Sequence, residues 1–239
     1  LAQLGLAVSK INHDLRNMLA SAQLLSDRLS TVPDATAQRV TPKLVASLDR
    51  AIAFCNDTLQ FGRAKEAAPR RQKLQLAKIV NEVGDELGLL SEPFDPTSDA
   101  SQLSGPTINF DVDIPDDLTV DADPDHLYRV LANMCRNASQ VLQATPTTSD
   151  GRAPTIWMTA QSENAAVAIR IRDNGPGIPP RARENLFKAF QGSQRQGGTG
   201  LGLAIASELI SAHGGSVELL ETQETGTTFE IVIPDRSDA

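Results

Sequence analysis

A chain of 239 residues, 40% hydrophobic and 22% charged, has the composition of a folded globular protein with one large domain or two small ones. Its net charge of -8 argues against general binding to nucleic acid or to an anionic membrane, but leaves room for a small positive site for phosphate. No apolar run approaches the roughly 20 residues that span a bilayer, and no signal peptide is visible, so this segment is not expected to be membrane-embedded and a cytoplasmic location is expected. Residues 1–30 read as one amphipathic helix. Leu1, Leu4, Val8, Ile11, Leu15, Met18, Ala22, Leu25 and Leu29 alternate spacings of 3 and 4, the seam of a helical bundle. With Val8 at heptad position a, His13 falls at f, facing away from the seam, with Asp14 beside it. The chain starts at Leu1 in mid-heptad, which reads as a piece of a longer protein whose helix continues upstream.

Residues 31–42, with Thr31, Pro33, Asp34 and Pro42, read as a connecting loop. Residues 43–65 read as a second helix with Leu44, Leu48, Ile52, Cys55 and Leu59 on one side. Two helices and a loop make an antiparallel hairpin, which alone leaves one stripe in water. Pairing with a second copy covers it, so a homodimer through residues 1–66, in the form of a four-helix bundle, is expected. Residues 67–72, around Pro69, read as a linker, and residues 73–239 as a second domain.

In that domain Leu74–Leu76 is a candidate strand and Ala77–Leu90 a helix. Ser91–Pro106 is rich in Ser, Asp and Pro and reads as a loop. Ile108–Ile114 and Leu118–Val120 read as a strand pair. Asp123–Leu142 reads as a helix opened by Asp-Pro. Thr155–Ala160 and Ala166–Arg172 alternate like adjacent strands. Gly200–Ala212 reads as a helix closed at Gly214 and Gly215, and Val217–Leu220 and Thr228–Ile233 as final strands. The expected class is α+β: a helical hairpin, then an α/β sandwich with helices on one face of a mixed sheet. Cys55 and Cys135 lie in helical runs without metal-type spacing, so buried thiols in reducing surroundings are expected.

Three elements of the second domain suit a nucleotide. Asn133 and Asn137 stand at i and i+4 on one helix face, and a carboxamide oxygen is a hard ligand for magnesium that phosphates also hold. Asp173-Asn174-Gly175-Pro176-Gly177 ends a strand; its carboxylate can accept from an adenine amino group while Gly175 and Gly177 let backbone approach the base. Gly197-Gly198-Thr199-Gly200-Leu201-Gly202-Leu203 opens a helix whose N–H groups form an anion site. Taken singly these are weak: paired asparagines are usually surface residues, Asp-Asn-Gly-Pro-Gly is often only a turn, and the glycine loop fits neither the dinucleotide nor the P-loop pattern.

Taken in this order, the chain resembles the catalytic core of a bacterial sensor histidine kinase over nearly its whole length. His13-Asp14-Leu15-Arg16-Asn17 resembles the H box of the dimerisation and histidine-phosphotransfer hairpin. Asp123-Pro124, Leu127, Val130-Leu131, Asn133 and Asn137-Ala138 match the N box, and Asp173–Gly177 the G1 box. Leu186–Phe190 resembles the F box, Gly198–Leu203 matches the G2 box, and Gly226-Thr227-Thr228-Phe229 resembles the last glycine motif. The resemblance implies a Bergerat-type ATP-binding domain, as in gyrase B, Hsp90 and MutL. It makes Asn137 the magnesium ligand and Asp173 the adenine contact, with Asn133, Gly175, Gly177, Thr199, Gly200, Leu201, Gly202 and Thr228 around ATP and Gln191–Gly197 a short lid. Met18 stands where the family often has Pro, and Gln140 where it often has Lys, which leaves Arg136, Arg195 or no direct replacement for that Lys.

The implied function is ATP-dependent autophosphorylation of His13 and transfer to an aspartate of a response regulator receiver domain, with regulator phosphatase activity as a further expectation. His13, Asp14 and Asn17 are the expected catalytic residues. The competing reading is an inactive dimeric scaffold or phosphotransfer hub that no longer uses ATP. His213, near a helix C-terminus, reads as a structural cation, His126 as a poor phosphoacceptor, and Trp157 as packing.

Overall fold

The structure, a computed structural model, describes residues 68–90, 108–145, 151–189, 200–223 and 225–236, and before them residues 22, 34, 37–42, 44, 45, 47, 48, 51 and 52. The expected helix over 1–30 (apart from Ala22), Cys55, the loop Ser91–Pro106 and the lid Gln191–Gly197 lie outside the described residues. The chain divides into two compact units, one of Leu1–Ala67 with Lys188–Leu201, the other of Ala68–Phe187 with Gly202–Ala239.

In the first unit, residue 22 is helical, as are 37–42 and the described positions from 44 to 52. The expected loop over 31–42 is therefore too long. Asp34 is the reason: its Oδ1 accepts the Ala37 N–H at 2.9 Å and its carbonyl the Gln38 N–H at 2.9 Å, so the helix is capped well before residue 43.

The second unit runs β1 (Gln72–Gln75), α1 (Leu76–Glu86), β2 (Asn109–Asp113), β3 (Thr119–Ala122), α2 (Pro124–Ala144), β4 (Thr155–Glu163), β5 (Ala166–Asp173), a short α3 (Pro180–Arg183), α4 (Gly202–Ala212), β6 (Ser216–Gln223) and β7 (Gly226–Pro234). The main sheet has the order β2-β4-β5-β7-β6, with β2 parallel to β4 and the other pairs antiparallel. The sandwich and its mixed sheet are as expected; one pairing is not. β2 and β3 do not pair. β3 joins β1 in a separate antiparallel ribbon, Leu74 opposite Val120, while β2 lies along β4, Phe110 opposite Ile156. The two strands are close in sequence, but Pro115-Asp116-Asp117 carries the chain from one sheet to the other instead of reversing it within one.

Alternation along the strands sets the layers. Met158, Ile171 and Phe229 share one face across β4, β5 and β7, and Thr159, Arg170 and Glu230 the other. The first face meets the helices: α2 touches β4 and β5 and packs against both α1 and α4. The core forms there from Leu127, Leu131, Ile156, Met158, Ile169, Ile205, Leu209 and Ile231, all buried. The other face is polar, with Arg170 Nε donating to Glu230 at 2.8 Å and Arg172 standing 5.4 Å over the Trp157 ring, so Trp157 is half-buried under a cation and not in the core. No described helix is long and apolar enough to cross a membrane.

Cys135 lies on the buried side of α2 with no exposed surface, and burial pushes its thiol pKa up to about 12. The thiolate is the reactive form. Cys135 should therefore stay unmodified by iodoacetamide at pH 8 in the native protein and react once denaturant is added, as read by mass spectrometry of its peptide. Rapid native labelling would contradict this packing of α2.

Candidate functional site

The site is built on α2. Asp123 caps the helix, its Oδ1 accepting the N–H groups of Asp125 and His126 at 3.1 Å each, and Pro124 at the first turn gives up an N–H the helix could not use. This start fixes which residues of α2 point where. Leu127, Val130, Leu131, Met134 and Cys135 go to the core, and Asn133, Asn137 and Val141 fall at i, i+4 and i+8 along one line.

Two other elements end against that line. The first is the N-terminus of α4. Asn133 Nδ2 lies 3.4 Å from the Gly202 carbonyl, a long hydrogen bond. A Cβ on Gly202 would come 3.5 and 3.6 Å from the two polar atoms of the Asn137 carboxamide. Asn133 is buried and Asn137 half-buried. Residue 202 opens α4, so N–H groups with no acceptor within the helix and the positive end of the helix dipole lie next to Asn137. Gly200 has φ +68, a conformation that suits glycine.

The second element is the turn after β5. Asp173 is the last residue of the strand and is buried. Its Oδ1 accepts the Gly175 N–H at 2.8 Å, which folds the turn back over its own carboxylate. Gly175 meets α2 at Val141: a Cβ there would stand 2.7 Å from Val141 Cγ1 and 2.8 Å from Asp173 Oδ1. Gly177, at φ +73, passes so close to the Gln223 carbonyl that a Cβ would overlap it at 2.1 Å. The neighbouring Ile178 N–H donates to Thr222 Oγ1 at 2.8 Å. These are steric reasons for the two glycines that hold before any ligand is considered.

Asn174 was not singled out by the sequence. It is buried, accepts the Thr155 N–H at 2.8 Å and donates to the Ala153 carbonyl at 3.0 Å, so its carboxamide stands in for a peptide group at the start of β4. That holds Asp173 at a fixed height on the sheet. An asparagine directly after a strand-end carboxylate was the available signal. The structure places Thr228 and its neighbour Thr227 on opposite faces of the sheet. Thr228 is in register with Arg172, on the polar face of the sheet, whereas Thr227 is in register with Asp173, buried, with its hydroxyl 3.3 Å from that of Thr222. With a side-chain period of 2, a shift of one residue changes the face, so Thr227 is the residue beside the carboxylate.

Arg136 is turned elsewhere: its guanidinium pairs with Glu86 of α1 at 3.5 Å, both groups half in water. His213 also departs from expectation. It is 3% exposed, its Nδ1 lies 2.7 Å from the Leu209 carbonyl, and its Nε2 accepts the Asp123 N–H at 3.0 Å. Burial lowers its pKa, and the charges of His126 and Arg71 add to this, so the ring is neutral and not the cation the sequence suggested. Phe187 packs edge-on against Phe229, centroids 6.3 Å apart. His13, Asp14, Asn17, Thr199 and Arg195 lie outside the described residues.

The structure thus brings Asn133, Asn137 and Gly202 together, and Asp173 and Gly175 together against Val141, one helical turn further along α2, while Gly177 lies against Thr222 and Gln223. The first group can receive an anion and a hard cation; the second offers a buried acceptor beside backbone. For magnesium the donor chemistry fits a shared site. Among the described residues no group of three or more His, Cys, Asp or Glu could cage a metal, whereas one carboxamide oxygen with phosphate oxygens and water suits this ion.

Comparison with known proteins agrees with this geometry. The family model described as histidine kinase-, DNA gyrase B-, and HSP90-like ATPase matches residues 122–237. The chain is 31% identical over 237 residues to the sensory histidine kinase/phosphatase NtrB of Salmonella typhimurium, covering 96% of this chain and 62% of that protein. It is 27% identical to the sensor histidine kinase WalK of Bacillus subtilis over 95% of this chain and 36% of that one. The chain therefore spans from about a third to under two thirds of these relatives' lengths. Among solved structures, it is similar to histidine kinase ThkA, crystallised in complex with response regulator protein TrrA, with a TM-score of 0.62 and 24% identity over 99% of this chain and 63% of that one, which shows the fold.

Proposed function

The chain belongs to the sensor histidine kinases as a catalytic core, with the histidine kinase-, DNA gyrase B-, and HSP90-like ATPase domain over residues 122–237, and from that premise we propose that it phosphorylates its own His13 from ATP and passes the phosphoryl group to an aspartate of a response regulator receiver domain. The observation that carries this reading is the single face of α2 on which the Asp173 turn and the Gly202 helix end meet, at Val141 and Asn137.

Asp173 accepts a hydrogen bond from the adenine amino group, with Gly175, Gly177 and Thr227 lining the base. Asn133, Asn137 and the N–H groups of the segment from Thr199 to Gly202 receive the phosphates, with Leu201 among them. Asn137 would hold magnesium, which would supply charge neutralisation to the phosphates. A ring nitrogen of His13 donates its lone pair to the γ-phosphorus, the bond to the bridging oxygen breaks, and ADP leaves. Asp14 accepts the proton from the other ring nitrogen, or orients the ring through it. Alignment and charge neutralisation supply the catalysis, because phosphoryl transfer needs little covalent help. The test is incubation of the purified chain with γ-labelled ATP and magnesium. An acid-labile, base-stable label on protein is expected; a wild type that takes up no label would leave the scaffold reading in place of this one.

Residues 1–66 are proposed as the dimerisation and phosphotransfer hairpin, 67–72 as linker and 73–239 as the ATP-binding domain. This segment is proposed to work in the cytoplasm. The Leu15, Met18, Ala22 and Leu25 stripe would be exposed in a lone hairpin, and buried apolar surface is worth about 25 cal/mol per Å2. A dimer is therefore expected in sedimentation at micromolar concentration, dissociated by Leu15→Asp. A monomeric wild type would overturn the bundle.

NtrB is a kinase/phosphatase, and the same pairing is proposed here. Asn17 follows His13 by one helical turn, and its carboxamide can both donate to and accept from a water at the regulator's aspartyl phosphate. Asn17→Ala should keep self-labelling and transfer but slow decay of the phosphorylated regulator in magnesium and ADP. Identical decay with wild type and variant would remove this role.

A further inference from the structure

The far end of the α2/α4 pair holds a polar cluster that the proposed chemistry does not use. α4 runs antiparallel to α2: Gly202 opens it beside Asn133, and His213 follows its last residue beside Asp123. The 11 residues of α4 rise about 16 Å, and the ten from Asp123 to Asn133 about 15 Å. The two helices are thus matched in length between two contacts. The contact at the Gly202 end is the long one, 3.4 Å. The contact at the His213 end is made with care on every side.

There the imidazole has one arrangement. Nδ1–H donates to Leu209 within α4's own last turn, which leaves Nε2 as the acceptor for the Asp123 N–H. That N–H is on the residue that caps α2, so a side chain of one helix is bonded to the backbone at the start of the other. Asp123 is held in turn: its Oδ2 accepts the Arg70 N–H at 2.8 Å. The next residue, Arg71, spreads its guanidinium over three backbone carbonyls. Nη1 donates to the His213 carbonyl at 2.8 Å, Nε and Nη2 to the Asp121 carbonyl at 3.1 and 2.9 Å, and Nη2 also to the Pro234 carbonyl. The Asp121 Oδ2 lies 3.4 Å from the same guanidinium and accepts Arg236 Nε–H at 3.0 Å, while Arg236 Nη2 donates to Asp121 Oδ1 at 3.2 Å. Arg71 and Asp121 side chains are 10% and 4% exposed, and Arg236, 58% exposed, closes the network from the surface.

Resting on the ATP reading above, we propose that His213, secured by Arg71, is a positioning residue for nucleotide binding: it sets the axial register of α4 on α2 and so the placement of the Gly202 helix end over Asn133 and Asn137. Without it α4 keeps its apolar packing through Ala204, Ile205 and Leu209 but loses the directional bond at its base. Apolar contact fixes a distance between helices more firmly than a height along them, and the phosphate-facing N–H groups need the height. Arg70 and Arg71 follow Pro69 directly, within the proposed linker itself.

The test uses the full chain. In His213→Leu, with the Asp123 N–H unpaired, affinity for a fluorescent ATP analogue should fall about tenfold or more. In the nucleotide-free protein, amide exchange should rise in the peptide covering 202–208, remote from the substitution, as well as near residue 123. His213→Gln, whose carbonyl can reach the Nε2 position, should restore most of both. If His213→Leu does not fold, Arg71→Lys keeps a charge beside Asp121 but not the fork to three carbonyls, and should move both readouts the same way. Unchanged analogue affinity, faster exchange confined to the 123 end, or no recovery in His213→Gln would overturn the proposal. A wild type that does not bind the analogue refutes the ATP reading instead, and the register is then judged on exchange alone.

Discussion

His13→Gln is expected to abolish labelling of the chain by γ-labelled ATP, a loss of at least about a thousandfold, as for removal of the reacting atom itself. Glutamine keeps a polar side chain of similar reach, but its amide nitrogen has no lone pair to offer phosphorus. The same variant should bind a fluorescent ATP analogue with nearly the wild-type affinity. The reason is positional: the adenine and phosphate groups assigned here lie on α2, the Asp173 turn and the Gly202 end of α4, all from residue 133 onward. Filter-bound label and analogue titration on the same preparations check both halves. Residual labelling at another histidine would move the acceptor. An equal loss of analogue binding would show that the hairpin contributes to the nucleotide site and would end the division of labour proposed.

Asp173→Asn is expected to cut nucleotide affinity by about ten- to a hundredfold, from the roughly 1–3 kcal/mol lost when a buried polar partner is left unpaired. Asp173 Oδ1 holds the Gly175 N–H at 2.8 Å, and an asparagine carbonyl oxygen can keep that bond. That turn bond is then kept, and the proposed adenine contact is met by an amino group facing the adenine amino group. Thermal unfolding should therefore move little while the analogue Kd rises. Asp173→Ala should do worse on both counts, because it removes the turn as well. Unaltered affinity in Asp173→Asn, with an unaltered melt, would take adenine recognition away from this carboxylate.

Much of the second domain was legible residue by residue. Asp123-Pro124 announced the start of α2, and the helix begins there because the carboxylate and the proline both satisfy its first turn. Gly214 announced the end of α4 and has φ +75. The alternation in Thr155–Ala160 and Ala166–Arg172 announced two neighbouring strands, and they pair from Ile156–Asp173 to Glu163–Ala166. Asn133 with Asn137, Asp173 with its glycines, and Gly202 were each readable as candidates because their chemistry is written in adjacent or helically spaced residues. Asp34 was read as loop because of the prolines around it; the cap it makes was a local signal passed over.

What the sequence determined by itself is the set of local conformations and the identity of the groups offered, since caps, turns and periodicity depend on contacts within about four residues of the chain. What the tertiary structure decided is which of those groups meet. β3 leaves β2 for β1, Thr227 and not Thr228 stands beside Asp173, and His213 becomes a neutral acceptor for a backbone N–H 90 residues away. Each of these depends on a partner far along the chain, chosen by burial and by the need to satisfy every polar group inside. A strand's alternation does not name its neighbour, and a histidine's charge follows from the water it loses.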